Sequence, residues 1–220
     1  MAEEDINTLC LLMRPLSLDQ VRSLEDDKVI PGLRLGDVQD HEEACDKVRA
    51  ALKSGESRPV RLPKLAAAYC WLFARNQRLT WALFALDRSM PPVHDFTLQT
   101  LIATGLTFPG VDIGYVTLTR GRERYACAIT AEKQSDPEGA QIVVGMCAWQ
   151  DLPYLAMCFP GTSCATRVQR IVDGILECKC DEIFLGCYTG IDRTLAQANI
   201  HRMQPESDSE SAEIDIETVD

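Results

Sequence analysis

The chain changes its hydrophobic period near residue 110. Two runs rich in β-formers, Gly114-Tyr-Val-Thr-Leu-Thr119 and Arg124-Tyr-Ala-Cys-Ala-Ile-Thr130, flank Arg120-Gly121. Alternating residues on either side of a short glycine-containing turn predict a β-hairpin. Ser135-Asp-Pro-Glu-Gly139 reads as a turn, and Gln141–Trp149 as a third strand. A meander in mid-chain excludes an all-helical fold, so the residues before it decide the class.

Those residues read as helices. Ser17-Leu-Asp-Gln20 has the form of a capping box and opens a helix through Leu24. Asp40-His-Glu-Glu43 has the same form, ahead of Ala44, Val48, Ala51 and Leu52 on one helical face, with Gly55 as the stop. Pro63 suits a first helical position. Leu65–Leu86 is mostly apolar, with a polar break at Arg75–Arg78, and predicts a buried helix or a helical pair. Asp95 can cap a helix to Ala103. Past the meander, Thr162 or Ser163 can cap a helix to about Glu177 with Val168, Ile171, Val172, Ile175 and Leu176 on one face. A strand over 182–186, a loop over 187–193 and a helix over 193–203 follow. The expected fold is therefore α+β or α/β, with one globular domain over 1–203: helical over 1–105 and mixed over 106–203.

Charge divides the chain differently. The 220 residues carry a net charge of −11, and 204–220 holds seven acidic residues and no basic one, leaving −4 on the rest. That acidic, serine-containing segment is expected to be a disordered tail. The acidic balance argues against nonspecific nucleic-acid binding as the main role. The longest apolar stretch is interrupted by charge, which predicts no membrane span. The acidic start of the chain, MAEEDINTLC, lacks the basic region of a signal peptide, so a soluble cytoplasmic protein is expected. The ten cysteines are scattered, without a Cys-x-x-Cys pair, and are read as free thiols with no metal and no cofactor.

One short stretch carries specific chemistry. In Cys187-Tyr-Thr-Gly190-Ile-Asp-Arg193-Thr194 a cysteine would open the loop between strand and helix. Backbone N–H groups and a helix N-terminus converging on such a loop favour an anion and a thiolate. An arginine at its end can hold a phosphate with paired hydrogen bonds. Gly190 permits the turn, and Thr194 can hydrogen-bond the thiolate. The stretch resembles the Cys-x-x-Gly-x-x-Arg-(Ser/Thr) signature of the cysteine-dependent phosphatase superfamily, and its Gly-x-Asp-Arg-Thr ending is most similar to the myotubularin branch. Trp149-Gln-Asp151 is similar to the loop carrying the general acid in tyrosine phosphatases. The resemblance covers roughly 115–198. It implies phosphomonoester hydrolysis through a phosphocysteine, with Cys187 as nucleophile, Arg193 as phosphate clamp and Asp151 as acid. It also implies Gly190 and Thr194 as the substrate-binding pair.

A second reading suits the same residues. A helical half, a small sheet, free cysteines and an acidic tail fit a non-enzymatic assembly or interaction protein. Such a protein could be a viral matrix, nucleocapsid or coat-like component found in the virion, or a cytosolic adaptor. That reading expects protein partners, through the acidic tail or as homo-oligomers. In the bland reading of the signature, Ile183, Phe184 and Leu185 form a core strand, Cys187 is buried and an ordinary helix starts at Asp192–Arg193.

Overall fold

The structure is a computed structural model that describes residues 3–53, 57–86, 95–106, 110–132, 142–161, 165–176 and 184–203. Its frame is a sheet of six antiparallel strands. They are β1 (Thr80–Ala85), β2 (Val111–Arg120), β3 (Glu123–Glu132), β4 (Ile142–Trp149), β5 (Tyr154–Cys158) and β6 (Phe184–Thr189), in the order β2-β3-β4-β5-β1-β6. The expected hairpin pairs β2 with β3 through ten residue pairs, from Val111 opposite Glu132 to Arg120 opposite Glu123. The fold is α+β.

Helices cover both faces. One carries α1 (Glu3–Met13), α2 (Leu18–Asp26), α3 (His41–Lys53), α4 (Arg58–Phe73) and α7 (Ile191–Met203); the other carries α5 (Asp95–Leu106) and α6 (Ala165–Leu176). Alternation along the strands feeds two separate cores. Tyr125, Cys127 and Ile129 of β3 and Val143, Cys147 and Trp149 of β4 join the first. Ala126 and Ala128 with Val144, Met146 and Ala148 join the second. Burial on both sides explains why all eight residues of β4 and all five of β5 are shielded and read as nearly unbroken apolar runs.

The caps follow the sequence. The Ser17 hydroxyl accepts from the Gln20 N–H, and the Gln20 side chain accepts from the Ser17 N–H, completing the box at α2. Asp40 Oδ1 accepts from the Glu43 N–H, while Glu43 Oε2 accepts from the N–H of Gln39.

Three expectations are corrected. Leu65–Leu86 is not a pair of helices. Its first part lies in α4, and its second is β1, an inner strand of the sheet between β5 and the edge strand β6. Arg75–Arg78 makes the turn between them. The buried Asn76 donates to the Leu12 carbonyl and accepts from the Arg78 N–H, and Arg75 lies 4.7 Å over the Trp71 ring. A six-residue strand buried on both faces carries no alternation to separate it from helix. Pro63 stands inside α4, and the N-terminal proline of that helix is Pro59. The sequence reading also contained neither α1 nor β5. Finally, the strand expected over 182–186 runs instead through Thr189, and α7 begins at Ile191. The acidic segment 204–220, the turn at Ser135–Gly139 and the caps at Thr162 and Ser163 lie outside the described residues.

No helix among the described residues is long and apolar enough to cross a membrane.

Candidate functional site

The longer β6 changes the geometry of the signature. Cys187 lies within the strand, opposite Ala82 of β1, and it is exposed rather than buried. Its neighbour Tyr188 is opposite Trp81 and packs into the core shared with α7. Adjacent residues in a strand point to opposite faces. Cys187 therefore points to the face away from α7, the helix that bears Arg193.

The loop has shrunk to one residue. Gly190, at φ +84°, joins strand to helix, and its N–H donates to the Leu79 carbonyl at 2.8 Å. The Asp192 N–H is taken by Gln77 Oε1 at 3.3 Å. Thr194 is fully buried, and its hydroxyl donates to the Gly190 carbonyl at 2.8 Å. These groups, expected to face a phosphate, bind the chain's own oxygens. Gly190 is needed for another reason: a Cβ there would come 2.7 Å from the Gln77 carbonyl. Arg193 is exposed on α7. The structure therefore does not bring Cys187, Arg193, Gly190 and Thr194 together around an anion. The bland reading also differs from the structure: Cys187 and Phe184 are exposed, Leu185 is only partly buried, the helix begins at Ile191, and Ile183 lies outside the described residues.

Asp151 belongs to a different place. The turn between β4 and β5, the tip of the β2–β3 hairpin and one side of α7 enclose a cleft of about 590 Å³. The hairpin contributes Arg120, Arg122 and Glu123, the turn contributes Trp149, Gln150 and Asp151, and α7 contributes Asp192, Leu195, Asn199 and Arg202. The register explains the meeting. Glu123 stands opposite Trp149, so the hairpin tip overhangs the β4–β5 turn. The Gln150 N–H donates to the Arg122 carbonyl at 3.1 Å and ties the two turns.

The charges of the cleft are unevenly matched. Arg122 reaches Asp151 Oδ2 at 3.4 Å, an exposed pair of little energetic weight. Glu123 accepts from the buried Tyr125 hydroxyl at 2.7 Å. Burial is the first cause that pushes the Tyr125 phenol far above its usual range, so it remains a donor. Arg120 and Arg202 have different partners. Arg120 donates to the Ala74 carbonyl, and Arg202 donates to the Asp151 carbonyl at 3.4 Å. Neither forms an ion pair among the described residues. Trp149 adds an indole N–H that is buried without an acceptor.

Among the described residues the lining holds no cysteine, histidine, serine, threonine or lysine to serve as nucleophile, and Asp151 already sits beside a guanidinium. The lining balances Arg120, Arg122 and Arg202 against Glu123, Asp151 and Asp192, and the donors left without a carboxylate or any acceptor, on Arg120, Arg202 and Trp149, can take an acceptor-bearing ligand. The sequence reading had Asp151 and the turn at Arg120-Gly121 separately, but not their meeting with Arg202. No local pattern joins a hairpin tip to the last turn of a helix some 80 residues on. Comparison of the sequence with protein-family models and with curated proteins finds no match to either.

Proposed function

We propose that the protein is a non-enzymatic assembly protein in which the arginine-bearing cleft of one copy takes an acidic polypeptide segment of the next. The observation that carries this reading is that Arg120 and Arg202 donate to main-chain carbonyls and have no carboxylate partner among the described residues. A carboxylate-rich ligand would supply the missing partners. The sequence contains such a ligand: residues 204–220 carry seven acidic side chains and begin just past Met203. Ile200 and Met203, at the end of α7, are 45% and 80% exposed, and they offer apolar contact beside the cleft. Alternate apolar and acidic residues in Glu213-Ile-Asp-Ile-Glu217 suit both features.

The test is sedimentation velocity over a range of concentrations and salt. Association that grows with concentration and weakens with salt is expected, because screening acts on exposed charge. It should be lost in Arg120→Gln/Arg202→Glu, with the circular dichroism of the fold unchanged. A synthetic 204–220 peptide should compete. A protein that stays monomeric at every concentration would overturn assembly. A parallel assay with p-nitrophenyl phosphate should show no hydrolysis above buffer; turnover abolished by Cys187→Ser would restore the phosphatase reading instead.

A further inference from the structure

A second cluster of reactive groups lies between α1 and α3 and shares no lining residue with the cleft. Cys10 of α1 and Cys45 of α3 face each other. Cys10 Sγ lies 3.9 Å from the Cys45 carbonyl, and Cys45 Sγ lies 3.8 Å from the Cys10 carbonyl. Each sulfur thus rests against the backbone of the other residue, a reciprocal approach of two cysteines 35 positions apart. Both are nearly buried, yet both line a cavity of about 650 Å³ whose wall includes Arg14, His41 and Arg49. A hydroperoxide is small enough to enter it.

The two thiols are not equivalent. Cys45 is held down to about 7, first by the hydrogen bond from Cys10 and then by Arg49, Arg14 and His41. Cys10 is pushed far up, first by that same hydrogen bond and then by burial and the Cys45 charge, with Asp46 adding to the rise and Arg49 opposing it. Asp40 and Glu42 also line the cavity. The proton of the pair therefore rests on Cys10, and Cys45 carries the thiolate. The other buried thiols differ: burial pushes Cys70 and Cys158 up to about 12, and Cys127 and Cys147 well above their usual value. A thiolate, rather than a thiol, attacks peroxides.

We infer that Cys10 and Cys45 form an oxidation site, in which a hydroperoxide converts the facing thiols into a disulfide that ties α1 to α3. In the first step the Cys45 thiolate attacks the peroxide. The O–O bond breaks, sulfur gives up two electrons, and the departing alkoxide or hydroxide takes a proton from water, leaving Cys45 as a sulfenic acid. In the second step Cys10 sulfur attacks Cys45 sulfur. The sulfenic hydroxyl leaves with the Cys10 proton as water, and the disulfide closes. A dithiol would reverse it.

The experiment treats the full chain with one equivalent of hydrogen peroxide and maps its peptides without reduction. The expected product is a Cys10–Cys45 cross-link, lighter by two hydrogens than the two peptides together. In Cys10→Ser the sulfenic acid should persist at Cys45 and be trapped by dimedone, whereas Cys45→Ser should give neither product. Alkylation of Cys45 by iodoacetamide should rise with a midpoint near pH 7. For an unperturbed thiol near 8.5, the thiolate fraction at pH 7 would be about fifteen times smaller. The inference is overturned if exposed Cys187 oxidises while Cys10 and Cys45 stay reduced. It is equally overturned if either of them cross-links to a different cysteine, or if the Cys45 midpoint lies at or above that of Cys187.

Discussion

The two faces of the sheet solve the same burial problem with different materials. The face under α4 is filled by aromatics: Tyr69, Phe73 and Trp81 are all buried, and Phe73 meets Trp81 edge-on at 5.7 Å. Four further helices and the loop between α2 and α3 close over them, with Ile30, Leu33, Leu35 and Val38 of that loop joining the same core. The face under α5 and α6 is filled by smaller or more flexible side chains, among them Ala126, Ala128, Val144, Met146 and Met157. There the close fit comes from helix meeting helix at Gly105 and Gly174. Both faces also need missing side chains: Gly145 and Gly114 make room for Phe73 and Leu62 under α4, while Gly105 and Gly174 let α5 meet α6 directly.

The largest effect should come from Phe73→Ala. It removes a fully buried ring that also packs on Gly145, where a Cβ would come 2.6 Å from the Phe73 ring. A loss of about 3–5 kcal/mol is expected from urea unfolding. Met157→Ala on the other face should lie lower, at about 2–3 kcal/mol, because flexible neighbours such as Met146 can settle into the space. Equal losses, with unchanged denaturant slopes, would break the distinction between the faces.

Helix starts were legible in the sequence on both faces. The capping patterns at Ser17 and Asp40, and the helical spacing behind them, give α2 and α3 almost to the residue. The β2–β3 hairpin was equally plain, because one turn fixes its register. What escaped was set by tertiary pairing. β1 follows a helix after a six-residue turn and pairs with β5 and β6, which lie some 70 and 105 residues further along. No local period announces such a partner. The candidate site failed for the same reason. Cys187 and Arg193 keep phosphatase spacing in sequence, but pairing with β1 extends the strand through Thr189. That extension turns Cys187 to the other face. The facing of Cys10 and Cys45 was illegible too, since it needs α1, a helix absent from the sequence reading.

A smaller effect sharpens the contrast at the glycines. Gly→Ala within a helix ordinarily stabilises by up to about 1 kcal/mol. At Gly105 the new Cβ would lie 2.6 Å from Ile175 Cα and 2.7 Å from its N. Backbone cannot step aside as a side chain end can, so α5 and α6 would have to separate. Gly105→Ala should therefore destabilise, by about 1–3 kcal/mol. The sign decides the matter. A stabilised variant in thermal unfolding would mean that the two helices are not held in this contact.

The smallest effect concerns how the aromatic face is closed, and it is read by pH. Glu25, near the end of α2, accepts from the Leu35 N–H at 2.5 Å and the Gly36 N–H at 3.0 Å, and pairs with Arg34 at 3.0 Å. It thereby ties down the loop whose Leu35 and Val38 seal the core. The Leu35 hydrogen bond is the first cause, and Arg34 the second, that hold this carboxyl below its usual value. A carboxylate depressed in the folded state contributes stability above the unfolded value, near 4.3, and that contribution drains away as pH falls through the folded value. Asp37, depressed first by its hydrogen bond from Lys47, acts in the same direction. The melting temperature of the wild type should thus fall between about pH 5 and pH 3, and Glu25→Gln should fall less steeply. The gap between them, greatest near neutrality, should close in acid. A gap that stays constant down to pH 3 would mean that the charge of Glu25 does nothing for the loop, leaving the aromatic face closed by its apolar contacts alone.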